Sequence, residues 1–165
     1  MTVMPSRCPV PAEQQPINEY QDMRESWFYS WGSRSLLRFI QPLVVLWGLS
    51  WSMTAPIAAA SFTPARYPSD FLLSAAIGAC VLPCLALLQL YIGWSHVGRR
   101  LRQARIPYEE SGWYDGQVWQ KPEDMHNRDR LIVDYQVQPI LHRLRRSFAA
   151  IVGLLAVAVV AWQWI

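Results

Sequence analysis

The chain has 165 residues and a mass of 19.0 kDa, with 52% hydrophobic residues, only 16% charged residues and a formal net charge of +3. Globular domains carry about 25% charged residues; here the charges crowd into some stretches and vanish from others, so a mean hydropathy of +0.07 conceals runs of membrane length. Nine Trp, seven Tyr and five Phe exclude a solvated disordered chain, and no polar segment between the apolar runs is long enough for a separate soluble catalytic domain.

Residues 1–35 read as a polar N-terminal segment. Its Cys8-Pro9-Val10-Pro11 stretch and scattered charges leave no continuous apolar region, so a cleavable signal peptide is not expected. Pro9, Pro11 and Pro16 disfavour helix from Cys8 to Tyr20 and predict an extended chain.

Between Arg38 and Arg66 there is no Asp, Glu, Lys or Arg. Crossing a hydrocarbon core takes about 20 helical residues, which places a first transmembrane helix over 36–60 and a short turn over 61–70. Between Asp70 and Arg99 the titratable groups are Cys80, Cys84, Tyr91 and His96 alone, giving a second helix over 71–98 with a kink at Pro83. A polar loop follows over 99–146. The third helix, 147–165, carries Ala149 and Gly153 four residues apart, a spacing suited to close helix approach. The predicted class is an all-α membrane protein: three transmembrane helices and a cytoplasmic loop containing a small β-hairpin and an amphipathic helix.

Fourteen of the fifteen Lys and Arg residues fall in segments 1–35 and 99–146 or at their borders, and only Arg66 lies in the intervening turn. By the positive-inside bias, the N-terminal segment and the long loop face the cytoplasm, or the stroma of a plastid, and the C-terminus faces the lumen. Trp27, Trp31, Trp94, Trp162 and Trp164 sit at span ends, as interfacial anchors do. Trp47 and Trp51 lie within a span on one helical face, which suits helix packing or contact with a bound pigment, quinone or lipid.

In the loop, Gly112-Trp113-Tyr114-Asp115-Gly116-Gln117-Val118-Trp119 sets an Asp-Gly turn signal between aromatic flanks, which predicts a hairpin within 106–120. An isolated hairpin is marginal in water, so Trp113, Tyr114 and Trp119 must lie against something. Lys121-Pro122-Glu123-Asp124 reads as a helix start. Leu131, Ile132, Tyr135, Ile140, Leu144 and Phe148 continue as one apolar stripe, broken or kinked by Pro139 near 136–138. Pro9 to Tyr20 is expected to fold back along 106–138, with Glu13, Glu19 or Asp22 pairing with Arg among 99–105 or 128–130.

No phosphate-binding Gly loop, nucleophile elbow or His-Glu-x-x-His pair occurs, and no metal ligand set is expected. His96 and His142 fall at similar expected depth and are candidates to ligate haem iron or chlorophyll magnesium. No charged residue interrupts a span, which argues against a pump or transporter. Cys80 and Cys84 read as small apolar residues, and Cys8, on the cytoplasmic side, is not expected in a disulfide. Interspersed acids leave no continuous basic surface for nucleic acid.

The run Cys8-Pro9-Val10-Pro11-Ala12-Glu13-Gln14-Gln15-Pro16-Ile17-Asn18-Glu19-Tyr20, then Ser26-Trp27-Phe28-Tyr29-Ser30-Trp31, resembles one family from its first residues. Tyr108 to Gln117, Asp124, Arg128-Asp129-Arg130 and Val137-Gln138-Pro139 extend the likeness to the third span. The chain resembles the family named for conservation in the green lineage and diatoms, a hypothetical chloroplast reading frame classed as a domain of unknown function. The resemblance implies a thylakoid protein of a cyanobacterium or plastid, in a thylakoid or cyanobacterial plasma membrane, and supplies no catalytic residues. Without a transit extension, a cyanobacterial or plastid-encoded copy is expected.

The leading expectation is a non-enzymatic accessory or assembly factor for a photosynthetic complex, a photosystem or its assembly intermediates, docking through Glu13, Tyr20, Trp113, Tyr114, Trp119, Arg128 and Arg130. A pigment-binding protein using His96, His142, Trp47 and Trp51, with chlorophyll as the cofactor, is the alternative; otherwise no cofactor is expected. A membrane enzyme of lipid or pigment metabolism using Glu109, Glu110, Asp115, Asp124 and Asp129 ranks third, because clustered loop acids are usually solvated.

Overall fold

The computed structural model describes residues 8–109 and 116–163. The helices are α1 (Pro16–Glu25), α2 (Leu36–Ser61), α3 (Pro68–Ala79), α4 (Val81–Arg102), α5 (Glu123–Ile132) and α6 (Gln138–Trp162); β1 (Arg105–Tyr108) and β2 (Gln117–Gln120) lie between α4 and α5. Three helical stretches are long and apolar enough to cross a membrane: Leu36–Ser61, Pro68–Arg102 and Glu123–Trp162. The all-α class with a two-stranded sheet in the loop is thereby shown. The described residues of Met1–Ser30 and Gly93–Ile140 form one compact unit, and those of Trp31–Ile92 and Leu141–Ile165 form another.

The apolar unit contains α2, α3 and the membrane-spanning parts of α4 and α6. Its outward face is hydrocarbon: Leu37 is 82% exposed and Leu154 70%. Helices in lipid gain nothing from hiding apolar area from each other, so they associate through small residues and hydrogen bonds. At the α2–α3 seam, Thr54 Oγ1 donates within 3.1 Å of Ser50 O and 3.2 Å of Ala75 O, and Ala75 and Ala79 are fully buried. A Cβ on Gly78 would stand 3.1 Å from Thr54 Cγ2. The predicted small-residue approach at Ala149 and Gly153 is not used this way: Ala149 is exposed, and a Cβ on Gly153 would meet nothing within 4 Å.

Proline explains the irregularities. Pro83 has no N–H for the Ala79 carbonyl, and the second span is interrupted one residue later, at Cys80, whose N–H turns back to Ile77 O at 3.1 Å. Pro139 likewise cannot bond the Tyr135 carbonyl. Of the kink or break expected near 136–138, the helix shows no break: Val133–Val137 forms a π-helical turn, a local irregularity that lets the helix continue. The helix that carries the third apolar stretch is therefore continuous from Glu123 to Trp162.

The polar unit has a conventional core. Pro16 opens α1 at its first turn, Glu19 faces the positive end of the helix dipole and Arg24 the negative end. This corrects the expectation of extended chain to Tyr20, because proline at the first turn costs no helical bond. Trp94 is fully buried, not interfacial: its Nε1 donates to Tyr29 O at 3.1 Å and its ring meets Tyr20 edge-on at 6.2 Å. Gly93 allows this packing, since a Cβ there would lie 2.5 Å from Tyr29 Cε1. Trp31, in the apolar unit, is buried too, with Nε1 donating to Phe39 O at 2.7 Å, whereas Trp27 is exposed as an anchor would be.

The hairpin expected within 106–120 is present. Arg105 pairs with Gln120 and Tyr108 with Gln117 in an antiparallel ladder, and Asp115 of the Asp-Gly signal lies outside the described residues. Gly116 does adopt φ +56°, the conformation that favours glycine. The register follows burial: Ile106 and Tyr108 alternate inward and form a small core with Val10, flanked by Cys8 and Trp119.

Candidate functional site

The described docking residues predicted from the sequence, Glu13, Tyr20, Trp119, Arg128 and Arg130, all fall in the polar unit. Gln14 spans the N-terminal segment and the strand end: its Nε2 donates to Glu109 O at 3.1 Å, and its Oε1 accepts from Glu109 N at 2.9 Å. Arg100 pairs with Glu19 and donates to Gln14 O at 2.9 Å, while the Tyr20 hydroxyl bonds the Gln136 side chain. The segment therefore folds back on the loop as expected, and one of the expected carboxylate–Arg pairs is made.

The deepest polar contact escaped sequence reading. Lys121, the chain's only lysine, is 1% exposed at its side chain and pairs with Asp129, 3% exposed, at 2.7 Å. Its Nζ also donates to Leu101 O at 3.0 Å, and its backbone N–H to Ala104 O at 2.9 Å. Burying two charges is tolerable only when each is paired and hydrogen-bonded. Here the pair ties α5 to the end of α4 and continues the β1–β2 ladder. A lone Lys among fourteen Arg was the available signal.

Of the predicted docking residues, Glu13, Arg128 and Arg130 are exposed, Arg128 lying 3.5 Å from Asp129. Tyr20 is core and Trp119 is half-buried against the Val10 cluster, so neither offers a free surface. Trp113 and Tyr114 lie outside the described residues, as do Glu110 and Asp115. The expected single apolar stripe divides: Ile140 and Leu144 are buried, with Val133 and Val137 beside them in the core, whereas Leu131, Tyr135 and Phe148 are exposed, Tyr135 to 77%. Val118 on β2 is exposed as well.

The pigment candidates belong to different units. His96 is exposed on α4 in the polar unit and His142 is exposed on α6 in the apolar unit. Trp47 and Trp51 stack edge-to-face at 5.6 Å; Trp47 Nε1 reaches Ala76 O at 3.4 Å, and Trp51 Nε1 is buried with no acceptor. Among the described residues, no three His, Cys, Asp or Glu side chains converge as metal ligands would. Of the loop acids, Asp129 is occupied by Lys121, and Asp124 is exposed.

Comparison with known proteins covers nearly the whole chain. A protein named conserved in the green lineage and diatoms 27, chloroplastic, from Arabidopsis thaliana is 44% identical over 94% of this chain, which spans about half (48%) of that relative's length. An uncharacterised protein ycf36 of Porphyra purpurea is 36% identical over 92% of both chains, and that of Cyanophora paradoxa is 38% identical over 90% of this chain and 93% of its own. No solved structure matches. The profile of the CGLD27-like family, Conserved in the green lineage and diatoms 27, matches residues 8–150 and takes in the N-terminal segment, the strands and the buried ion pair; the chain belongs to that family.

Proposed function

We propose that this protein is a non-enzymatic accessory or assembly factor of a photosynthetic membrane in a plastid or cyanobacterium, presenting its polar unit on the cytoplasmic or stromal side. The observation that carries the reading is that the N-terminal segment, the strands and α5 fold as one body yet leave Leu131, Tyr135 and Val118 uncovered. Leu131 and Tyr135 lie four residues apart on one helix face, and neighbouring exposed apolar side chains of that kind are what a docking surface uses. The chloroplastic relative supports the membrane proposed, and the cation asymmetry supports the orientation.

A photo-crosslinking residue placed at Tyr135 or Val118 in intact thylakoids should capture a subunit of a photosystem or of its assembly intermediates, and Leu131→Asp should abolish the capture. Crosslinks to lipid alone would remove the proposal. A reporter fused after residue 165 should be lumenal, and a cytoplasmic reporter would overturn the orientation.

A second reading, a pigment-binding protein, draws on the Trp51 indole N–H that lacks an acceptor. The absorption spectrum of the purified protein decides it, since a pigment bound beside Trp51 gives a visible band that Trp51→Phe shifts or removes.

A further inference from the structure

Between α4 and α6, inside the apolar unit, lies a cleft of about 490 Å³ whose walls include Leu87, Leu88, Phe148, Ala149 and Val152. Its lining contains one charged side chain, Arg145. The guanidinium is held at one end: Nε and Nη2 donate to the Tyr91 hydroxyl at 3.2 and 2.9 Å, and the group lies 5.5 Å over the Tyr91 ring. Counting away from that contact, Leu87 and Leu88 come about one turn before Tyr91 on α4, while Phe148, Ala149 and Val152 come one to two turns after Arg145 on α6. The cleft thus runs from a fixed cation down into purely apolar wall.

Arg145 is exposed, and no carboxylate pairs with it among the described residues. Its neighbour Arg143 is already engaged with the Gly32 and Arg34 carbonyls and with the Phe39 ring. A comparable cleft of about 480 Å³ between α2 and α3 has no charged residue in its lining. Charge therefore separates the two: one is an ordinary lipid-facing hollow, the other joins a hollow to an unneutralised guanidinium at the cation-rich end of two spans. A guanidinium matches phosphate with two parallel hydrogen bonds, and an apolar channel leading away from it matches an acyl chain.

We propose that the α4–α6 cleft is a binding site for an anionic phosphoglycerolipid, with one acyl chain along Leu87, Phe148 and Val152 and its phosphate on Arg145, which Tyr91 holds in place. The site is independent of the docking role of the polar unit.

The test uses the full chain reconstituted in phosphatidylcholine bilayers and probed with spin-labelled phosphatidylglycerol or spin-labelled phosphatidylcholine. Phosphatidylglycerol should be motionally restricted by the wild-type chain about fivefold more than phosphatidylcholine, the factor one cation near an anionic headgroup supplies. Arg145→Gln should bring the two lipids level, while Arg145→Lys and the nearby Arg146→Gln should keep the preference. Ala149→Trp, which fills the cleft and leaves Arg145 intact, should also abolish it. Equal restriction of both lipids by the wild type overturns the proposal. So does a preference that survives Arg145→Gln or Ala149→Trp, because it would then be general surface charge. Helix content is followed by circular dichroism, and should Arg145→Gln unfold, the wild-type ratio and Ala149→Trp decide.

Discussion

The two units of this chain solve opposite packing problems with the same amino acids. In the polar unit Trp94 and Tyr20 are buried and even an ion pair is closed off; in the apolar unit Leu37 and Leu154 face outward and the α2–α3 seam is made by Ala75, Gly78 and Thr54. Water drives large side chains inward in the first, whereas hydrocarbon is indifferent to them in the second and leaves close approach and hydrogen bonding to join the helices. An aromatic residue therefore has no fixed meaning in this sequence until its solvent is known.

Removing one partner of the buried ion pair should have the largest effect. Lys121→Ala strands Asp129 and should destabilise the polar unit by about 3–5 kcal/mol, measured as faster amide exchange in β2 and α5. Lys121→Met combined with Asp129→Leu should restore most of the loss, because no charge is then left unpaired. Trp94→Ala should cost a similar 3–5 kcal/mol or so through the cavity it leaves, whereas Leu154→Ala on the lipid face should leave helix content and melting nearly unchanged; a comparable loss in both would erase the contrast between the units. Gly93→Ala should cost about 1–3 kcal/mol by forcing the Tyr29 ring aside, visible as faster proteolysis before Trp27. Glu19→Gln should be mildest, about 0–1 kcal/mol, since the pair with Arg100 is partly solvated; a larger loss would make that contact, and not aromatic burial, the fastening of the N-terminal segment.

The spans were legible because absence of charge is a local property: Arg38, Arg66, Asp70 and Arg99 bracket two of them without reference to any other part of the chain. The fold-back was legible for a similar reason, since a proline-rich segment with few apolar residues orders only against a neighbour. What depended on partners was misread. The hairpin itself was signalled locally, but its inward face was not, because Ile106 and Tyr108 share a core with Val10, a residue about a hundred positions away. Trp94 was assigned to the membrane surface from its place at a span end, but Tyr20 and Tyr29 enclose it. Ile140 and Leu144 parted from Leu131 and Tyr135 across the π turn Val133–Val137, whose extra residue shifts the helical phase that a single stripe assumes.

The burial of Lys121 also sets how this protein meets reagents. The chain carries a single ε-amino group, and it lies closed in a pocket against Asp129 and the Leu101 carbonyl. Amine-directed crosslinkers, acylating labels and lysyl proteases therefore find no side-chain target on the native surface, so silence in such an experiment says nothing about neighbours. Reaction at Lys121 instead reports opening of the polar unit, which makes this one amine an internal clock for local unfolding in intact membranes.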